Sequence, residues 1–135
     1  RLVDAASGGN HYRAGDMLDQ HNYPMPGLLL FDADRVSVLG EFGGIGQVVE
    51  GHLWEQDRNW GYVRFNPPQQ VTDEYERYAS SLLDHLRYFS AAGYTQTTDV
   101  ETEVNGLMTY DRRVMKVDAE RLRAINRRVC GALDE

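Results

Sequence analysis

The fold is decided by Val36-Ser37-Val38-Leu39-Gly40-Glu41-Phe42-Gly43-Gly44, an apolar segment that ends in a carboxylate and a pair of glycines. Its β-branched residues and lack of charge predict a strand over residues 36–40. A carboxylate at the C-terminal end of such a strand lies where α/β folds place their active sites. On this ground alone, Glu41 is either a catalytic group or a surface residue at a strand end.

Three further segments have the character of strands. Residues 2–7 are an apolar run closed by glycines, and residues 17–23 are a weaker strand that ends in polar side chains before Pro24. A third strand begins near Ala91. Two helices are predicted as well, and strands that alternate with helices favour an α/β fold with a parallel sheet.

The first helix is predicted to begin at Thr72, a good N-cap, and to carry apolar residues at helical spacing as far as Phe89. The second is predicted to begin at the N-cap Asp118 and to end at Gly131. Before the first helix, residues 45–70 read as a long loop. Its large aromatic side chains argue for an ordered, functional loop rather than a disordered one.

Composition excludes several classes of function. The chain has 14 Lys and Arg against 21 Asp and Glu, a net charge of −7, which disfavours nucleic acid and anionic membranes as partners. No apolar run is long enough to span a bilayer. The single cysteine, Cys130, excludes an intrachain disulfide and is expected to be buried on an apolar helix stripe. No histidine pair has zinc-ligand spacing, so neither a metal nor a cofactor is predicted.

Several longer motifs occur together. They are Asp19-Gln20-His21-Asn22-Tyr23-Pro24, residues 36–46, Gly51-His52-Leu53-Trp54, Asn59-Trp60-Gly61-Tyr62, and residues 94–107 with Thr109-Tyr110-Asp111-Arg112. Together with residues 1–3 and 6–8 they resemble glycoside hydrolase family 2, the family of β-galactosidases, β-glucuronidases and β-mannosidases. The resemblance covers nearly the whole chain.

The resemblance implies a fold and a domain. Residues 1–7, 17–23, 36–41 and 91–96 would be strands five to eight of a (βα)8 barrel, with the two main helices following strands seven and eight. The chain would then be an α/β partial barrel of about four parallel strands. Residues 1–135 would form a single domain, the C-terminal half of the barrel.

The resemblance also implies roles for individual residues. Glu41 would be the nucleophile of a retaining enzyme that hydrolyses β-glycosides, and Tyr23 would hydrogen-bond it. The residues implied to contact or border the sugar are His21, Asn22, His52, Trp54, Gln96, Asp99 and Glu101. Without the resemblance, the sequence favours structural roles for the same residues. Tyr23 would hold a loop in place, and Trp54 would pack the long loop against the rest of the domain. Asp99 and Glu101 would belong to a half-exposed edge strand.

One part of the family's machinery is missing. Its general acid/base is a Glu directly after an Asn, and this chain has no Asn-Glu dipeptide. Three hypotheses follow. The first is a piece of a glycoside hydrolase with little or no activity alone. The second is a small active hydrolase in which assembly, or a nearby acid such as Asp99 or Glu101, supplies the proton, and the third is a non-catalytic carbohydrate-binding or self-assembling module. The predicted partners are a carbohydrate and either a second copy or the missing barrel half, because open sheet edges invite pairing.

Overall fold

A computed structural model describes residues 1–9, 11–64 and 68–132. The strands are β1 (Met17–Asn22), β2 (Val36–Gly43), β3 (Ile45–Gly46), β4 (Val63–Arg64) and β5 (Ala91–Thr95). The helices are α1 (Pro68–Ser81), followed at once by a 3-10 helix (Leu82–His85), and α2 (Ala119–Gly131).

The main sheet is parallel and has β2 at its centre, between β1 and β5. A register shift after Gln20 places His21 opposite Glu41. Separately, β3 and β4 form a parallel pair of two residues each. Because parallel strands end at the same edge of a sheet, the segments that follow β1 and β2 meet beside Glu41.

The core lies between this sheet and the two helices. From β2 it receives Leu39, which is fully buried, and Phe42. The helices supply apolar side chains at three- and four-residue spacing: Val71, Tyr75, Tyr78 and Ala79 from α1, and Leu122 and Ile125 from α2. Burial of these faces is the main source of stability for helices of this length.

The prediction of about four parallel barrel strands is wrong. In the described part of the chain, three strands form the parallel sheet and two more form a separate small sheet. Residues 1–7 form no strand. The backbone hydrogen bond between this segment and the rest of the described chain is the one that the Asp16 N–H donates to the Val3 carbonyl, at 2.7 Å. Leu2 and Val3 are 67% and 51% exposed, so nothing covers this apolar run and a strand there would bury little.

The first helix also differs from its prediction, because α1 begins at Pro68 and not at Thr72. Thr72 is buried within α1, where its hydroxyl accepts a hydrogen bond of 3.1 Å from the backbone N–H of Asp118. It therefore ties the start of α2 to α1. Of the predicted long loop, residues 65–67 lie outside the described residues, and the rest contains β3 and β4.

The start of the second helix is confirmed. The Asp118 carboxylate accepts hydrogen bonds from the backbone N–H groups of Glu120 and Arg121 at 2.9 and 3.1 Å. The expectation for Cys130 is wrong, since its side chain is exposed. Cys130 comes directly after Val129, so it is turned about 100° away from the inward stripe of α2.

The Asp118 cap can be tested by substitution. We expect Asp118→Ala to lower the free energy of unfolding by about 1 kcal/mol, because two helix N–H groups lose their acceptor. Asp118→Asn, which keeps a side-chain acceptor, should stay within a few tenths of a kcal/mol of the parent. Urea unfolding of the three proteins measures both. Equal losses in the two variants would contradict a capping role.

Candidate functional site

The candidate site lies where β1 and β2 end. Tyr23 follows β1 directly, and its hydroxyl donates a hydrogen bond to Oε2 of Glu41. The Glu41 side chain is 40% exposed, so the carboxylate is open to a ligand. Burial, together with the neighbouring Glu41 carboxylate, raises the pKa of the Tyr23 phenol above its usual range. The phenol is therefore a protonated donor at every physiological pH.

His21 is the second side chain in contact with Glu41. Its Nδ1 lies 3.3 Å from the same Oε2, and its Nε2 lies 3.1 Å from Oγ of Ser7. The ring packs against the backbone of Gly8, where a Cβ would come within 2.6 Å of the ring. Any side chain larger than hydrogen at Gly8 would displace the imidazole.

Asp19 lies behind His21 on the same strand and is buried. Its Oδ1 accepts a hydrogen bond of 2.7 Å from the Gly40 N–H, and its Oδ2 accepts one of 3.2 Å from the Ser7 hydroxyl. The same Oδ2 is 3.7 Å from Nε2 of His21. The imidazole therefore lies between two carboxylates, those of Asp19 and Glu41.

An aromatic surface adjoins the carboxylate. Tyr62 stacks on Tyr23 with ring centres 3.7 Å apart, and Trp60 meets Tyr62 edge to face at 5.5 Å. Tyr62 and Trp60 are 49% and 45% exposed, so part of this surface faces solvent. Gly44 has a φ of +65°, and a Cβ there would lie 2.4 Å from the Tyr62 ring, so glycine permits the stack.

Four of the predicted sugar-contacting residues have other partners. Asn22 donates to the Met25 carbonyl at 3.0 Å, which holds the turn after β1. Gln96, His52 and Trp54 contact Asn105, Asp111 and Tyr110 respectively. Within the part of the chain that the structure describes, none of these hydrogen bonds or ring contacts involves Glu41. The structure therefore groups only Glu41, Tyr23 and His21 from the predicted set.

Asp99 is held in the interior. Its Oδ1 is 2.5 Å from Nζ of Lys116, and the two side chains are 3% and 0% exposed. Lys116 also donates to the carbonyls of Gln47 and Val104 at 2.9 and 3.1 Å. Burial raises the pKa of the Asp99 carboxyl and lowers that of the Lys116 ammonium, while their mutual contact opposes both shifts.

Glu101 lies in a different setting, exposed in a tight turn with a φ of +52°. Val100 and Glu103 close this turn through reciprocal backbone hydrogen bonds of 3.1 and 2.9 Å. Asp99 is thus bound to Lys116 and inaccessible to a substrate, and Glu101 belongs to a surface turn. Among the described residues, neither carboxylate contacts the group formed by Glu41, Tyr23 and His21, which we call the Glu41 cluster.

Three further residues contact the Glu41 cluster and were not predicted from the sequence: Ser7, Asp19 and Tyr62. A signal for Asp19 was present, because residues two apart on a strand share a face and Asp19 precedes His21 by two. Ser7 ends an apolar run followed by glycines, the same arrangement that drew attention to Glu41. Nothing in the sequence distinguishes the stacking role of Tyr62 from that of the nearby tryptophans.

In the described residues, no three His, Cys, Asp or Glu side chains are grouped so as to hold a metal ion. The helices described there are all too short or too polar to cross a bilayer. No protein-family model and no curated protein matches the chain. The resemblance to glycoside hydrolase family 2 therefore rests on the motifs of the chain itself and stays a prediction.

The buried ion pair yields one prediction. Lys116→Met leaves the Asp99 carboxyl buried without its partner, and we expect a loss of about 3–5 kcal/mol in the free energy of unfolding. Adding Asp99→Asn to Lys116→Met removes the orphaned charge and should recover part of that loss. Denaturant unfolding at neutral pH measures both. A double variant no more stable than the single one would contradict a charge-based loss.

The Asp111 carboxylate yields a second prediction. Its hydrogen bond from Thr109 and its contact with His52 lower its pKa to about 2. A pKa lowered by folding adds stability above the unfolded value of about 4, and that stability is lost as the pH falls towards the folded value. The melting temperature of the parent should therefore exceed that of Asp111→Asn at pH 6, and the gap should close between about pH 4 and 2. The exposed Asp84→Asn serves as control, and a gap that persists at pH 2 would refute the linkage.

Proposed function

We propose that the chain carries the nucleophile site of a retaining β-glycoside hydrolase, with Glu41 as the attacking carboxylate. The observation that carries the proposal is the hydrogen bond from the Tyr23 phenol to a partly exposed Glu41 at the C-terminal edge of the parallel sheet. A retaining enzyme needs a carboxylate that is ionised, oriented and open to the anomeric carbon. The phenol supplies the orientation, and the strand-end position supplies the access.

The contacts distinguish the two oxygens of Glu41. Oε2 faces both the Tyr23 hydroxyl and Nδ1 of His21. Among the described residues, no hydrogen bond reaches Oε1. We therefore assign Oε1 as the atom that bonds to the anomeric carbon, while Oε2 stays anchored. Holding one oxygen fixed limits the rotation of the carboxylate and supports an in-line approach.

The exposed aromatic surface supports a sugar as the ligand. Tyr62 and Trp60 present large, rigid, partly apolar faces beside the phenol that bonds Glu41. The C–H face of a pyranose packs on such rings, and their polar edges remain available to its hydroxyl groups. The binding surface proposed here is this pair of rings together with Glu41. The predicted roles of Asn22, Gln96 and Asp99 are not retained, because their side chains have other partners.

Among the described residues we assign no assisting acid, so the proposal restricts the substrate. A retaining mechanism places its second carboxyl group about 5–5.5 Å from the nucleophile. Asp19 is buried and bonded to Gly40 and Ser7, so it is not available for that role. Unassisted attack by Glu41 then succeeds only where the leaving group departs without a proton, as an aryl oxide does.

Dinitrophenyl β-glycosides test the proposal, because dinitrophenolate leaves without protonation. We expect a burst of about one equivalent of dinitrophenolate followed by slow turnover, since we assign no carboxylate among the described residues as the base that activates water for the second step of a retaining mechanism. Azide, an anion that needs no base, should speed that second step. Glu41→Gln should abolish the burst, with a loss of at least about 100-fold. Gluco-, galacto-, manno- and glucurono-configured substrates cover the sugars of the resembled family.

The matched control is Glu120→Gln, an exposed glutamate on α2, which should keep the full burst. A burst that survives in Glu41→Gln would overturn the assignment of the nucleophile. The absence of a burst with all four sugars would overturn the proposed chemistry. Circular dichroism of each variant confirms that the fold is retained.

A second candidate is a carbohydrate-binding module without catalysis, favoured by the exposed Trp60 and Tyr62 rings beside a carboxylate to which the described residues bring no assigned acid partner. Sugar titrations followed by tryptophan fluorescence distinguish the two functions. Saturable binding without any burst supports the module.

Self-association is a further proposal, and it would use the outer edges of β1 and β5, the two outer strands of the parallel sheet. A missing barrel half is not proposed as a partner, because the described strands do not form the predicted part of a barrel.

A further inference from the structure

We propose that Ser7, His21 and Glu41 form a hydroxyl–imidazole–carboxylate triad that hydrolyses small carboxylic esters. This activity goes beyond the proposed glycoside chemistry and uses a different nucleophile. Ser7 Oγ lies 3.1 Å from Nε2 of His21, and Nδ1 of the same ring lies 3.3 Å from Oε2 of Glu41. Acyl transfer needs this order, in which one ring nitrogen meets the nucleophile and the other meets a carboxylate.

The backbone places the three groups. His21 and Glu41 are opposite each other on the paired strands β1 and β2. Gly8, directly after Ser7, has a φ of +62° and packs its backbone against the imidazole, where a Cβ would come within 2.6 Å. The loop that carries Ser7 is thereby held against the ring. Ser7 itself is exposed, so an ester can reach its hydroxyl.

The carboxylates determine how the ring functions. With Nδ1–H directed at Glu41, the lone pair of Nε2 faces the Ser7 hydroxyl and can take its proton. Asp19 Oδ2, 3.2 Å from Ser7 Oγ, competes for that proton in the resting state. Once the proton has moved, the imidazolium lies between Glu41 and Asp19, whose Oδ2 is 3.7 Å from Nε2. Both negative charges then stabilise the cation.

The Glu41 contact of 3.3 Å is longer than a strong charge-assisted hydrogen bond. Contacts between catalytic groups are often long before the substrate binds, and they tighten in the reacting complex. Tyr23 donates to the same oxygen of Glu41, so the carboxylate has a fixed position towards which the ring can move.

The reaction balances with water as the only co-reactant. Ser7 Oγ bonds to the ester carbonyl carbon while its proton passes to Nε2 of His21. The alkoxide leaving group takes that proton as the carbon–oxygen bond breaks, which leaves an acyl-serine. Water, deprotonated by the same Nε2, then attacks the acyl carbon, and Ser7 recovers its proton as the carboxylic acid leaves.

Two measurements on the whole chain test the inference. The first is hydrolysis of p-nitrophenyl acetate, for which we expect Ser7→Ala and His21→Gln each to lose at least about 100-fold. Ser90→Ala, an exposed serine before β5, should keep the parent rate. The second is labelling of the unmodified chain by a fluorophosphonate, with the modified peptide identified by mass spectrometry. We expect the label on Ser7.

Each outcome decides the matter. Ester hydrolysis that persists in Ser7→Ala would overturn the triad, because the imidazole alone would then be the catalyst. A fluorophosphonate adduct on another residue, or none, would overturn it as well. The glycoside burst is measured on the unmodified chain with a different substrate and a different labelled residue, Glu41, so failure of the glycoside proposal and failure of the triad are separate results.

Discussion

Parallel pairing of β1 with β2 is the constraint on which the candidate site depends. The strands end at the same edge, and the register shift after Gln20 aligns His21 with Glu41. Without that shift, Glu41 would lie opposite Asn22 in place of His21, and these two neighbours point to opposite faces of the sheet because strand side chains alternate. The Tyr23 phenol reaches the carboxylate only because the chain leaves β1 beside the end of β2.

The two helices pack against the sheet and stabilise this arrangement. Leu39 and Phe42 of β2 pack against α1 and α2, and they fix the strand that carries Glu41. The two helices are joined near their starts by the hydrogen bond from Asp118 to Thr72. A functional group on a strand whose neighbours are packed in this way has little freedom to drift, which favours a preorganised site.

Much of the framework could be predicted from the sequence because it depends on local patterns. The strand starts at residues 17, 36 and 91, and the cap at Asp118, follow from β-branched runs, glycines and short polar side chains. The predicted strand over residues 1–7 failed because an apolar run becomes a strand only where neighbours cover it. Thr72 was mistaken for a cap because its real partner, Asp118, is distant in sequence.

The site was predictable in part for the same reason. Glu41 and Tyr23 follow from strand ends together with a family resemblance, and the structure brings them together. The setting of Asp99 could not be predicted, because only the fold reveals that the chain's single lysine, Lys116, is buried beside it. The Ser7–His21–Asp19 contacts join Ser7, which lies before β1, to two residues of that strand, and no periodic pattern in the sequence indicates that these side chains meet.

The most direct test of Glu41 as a glycosyl acceptor is trapping with 2-deoxy-2-fluoro β-glycosides that carry a dinitrophenolate leaving group. Fluorine slows both steps, but the good leaving group lets the first one proceed, so the ester intermediate accumulates. Peptide mapping by mass spectrometry should then find one fluoroglycosyl group on Glu41. An adduct on any other carboxylate, or a protein that binds the sugar and is never modified, would contradict the role assigned to Glu41.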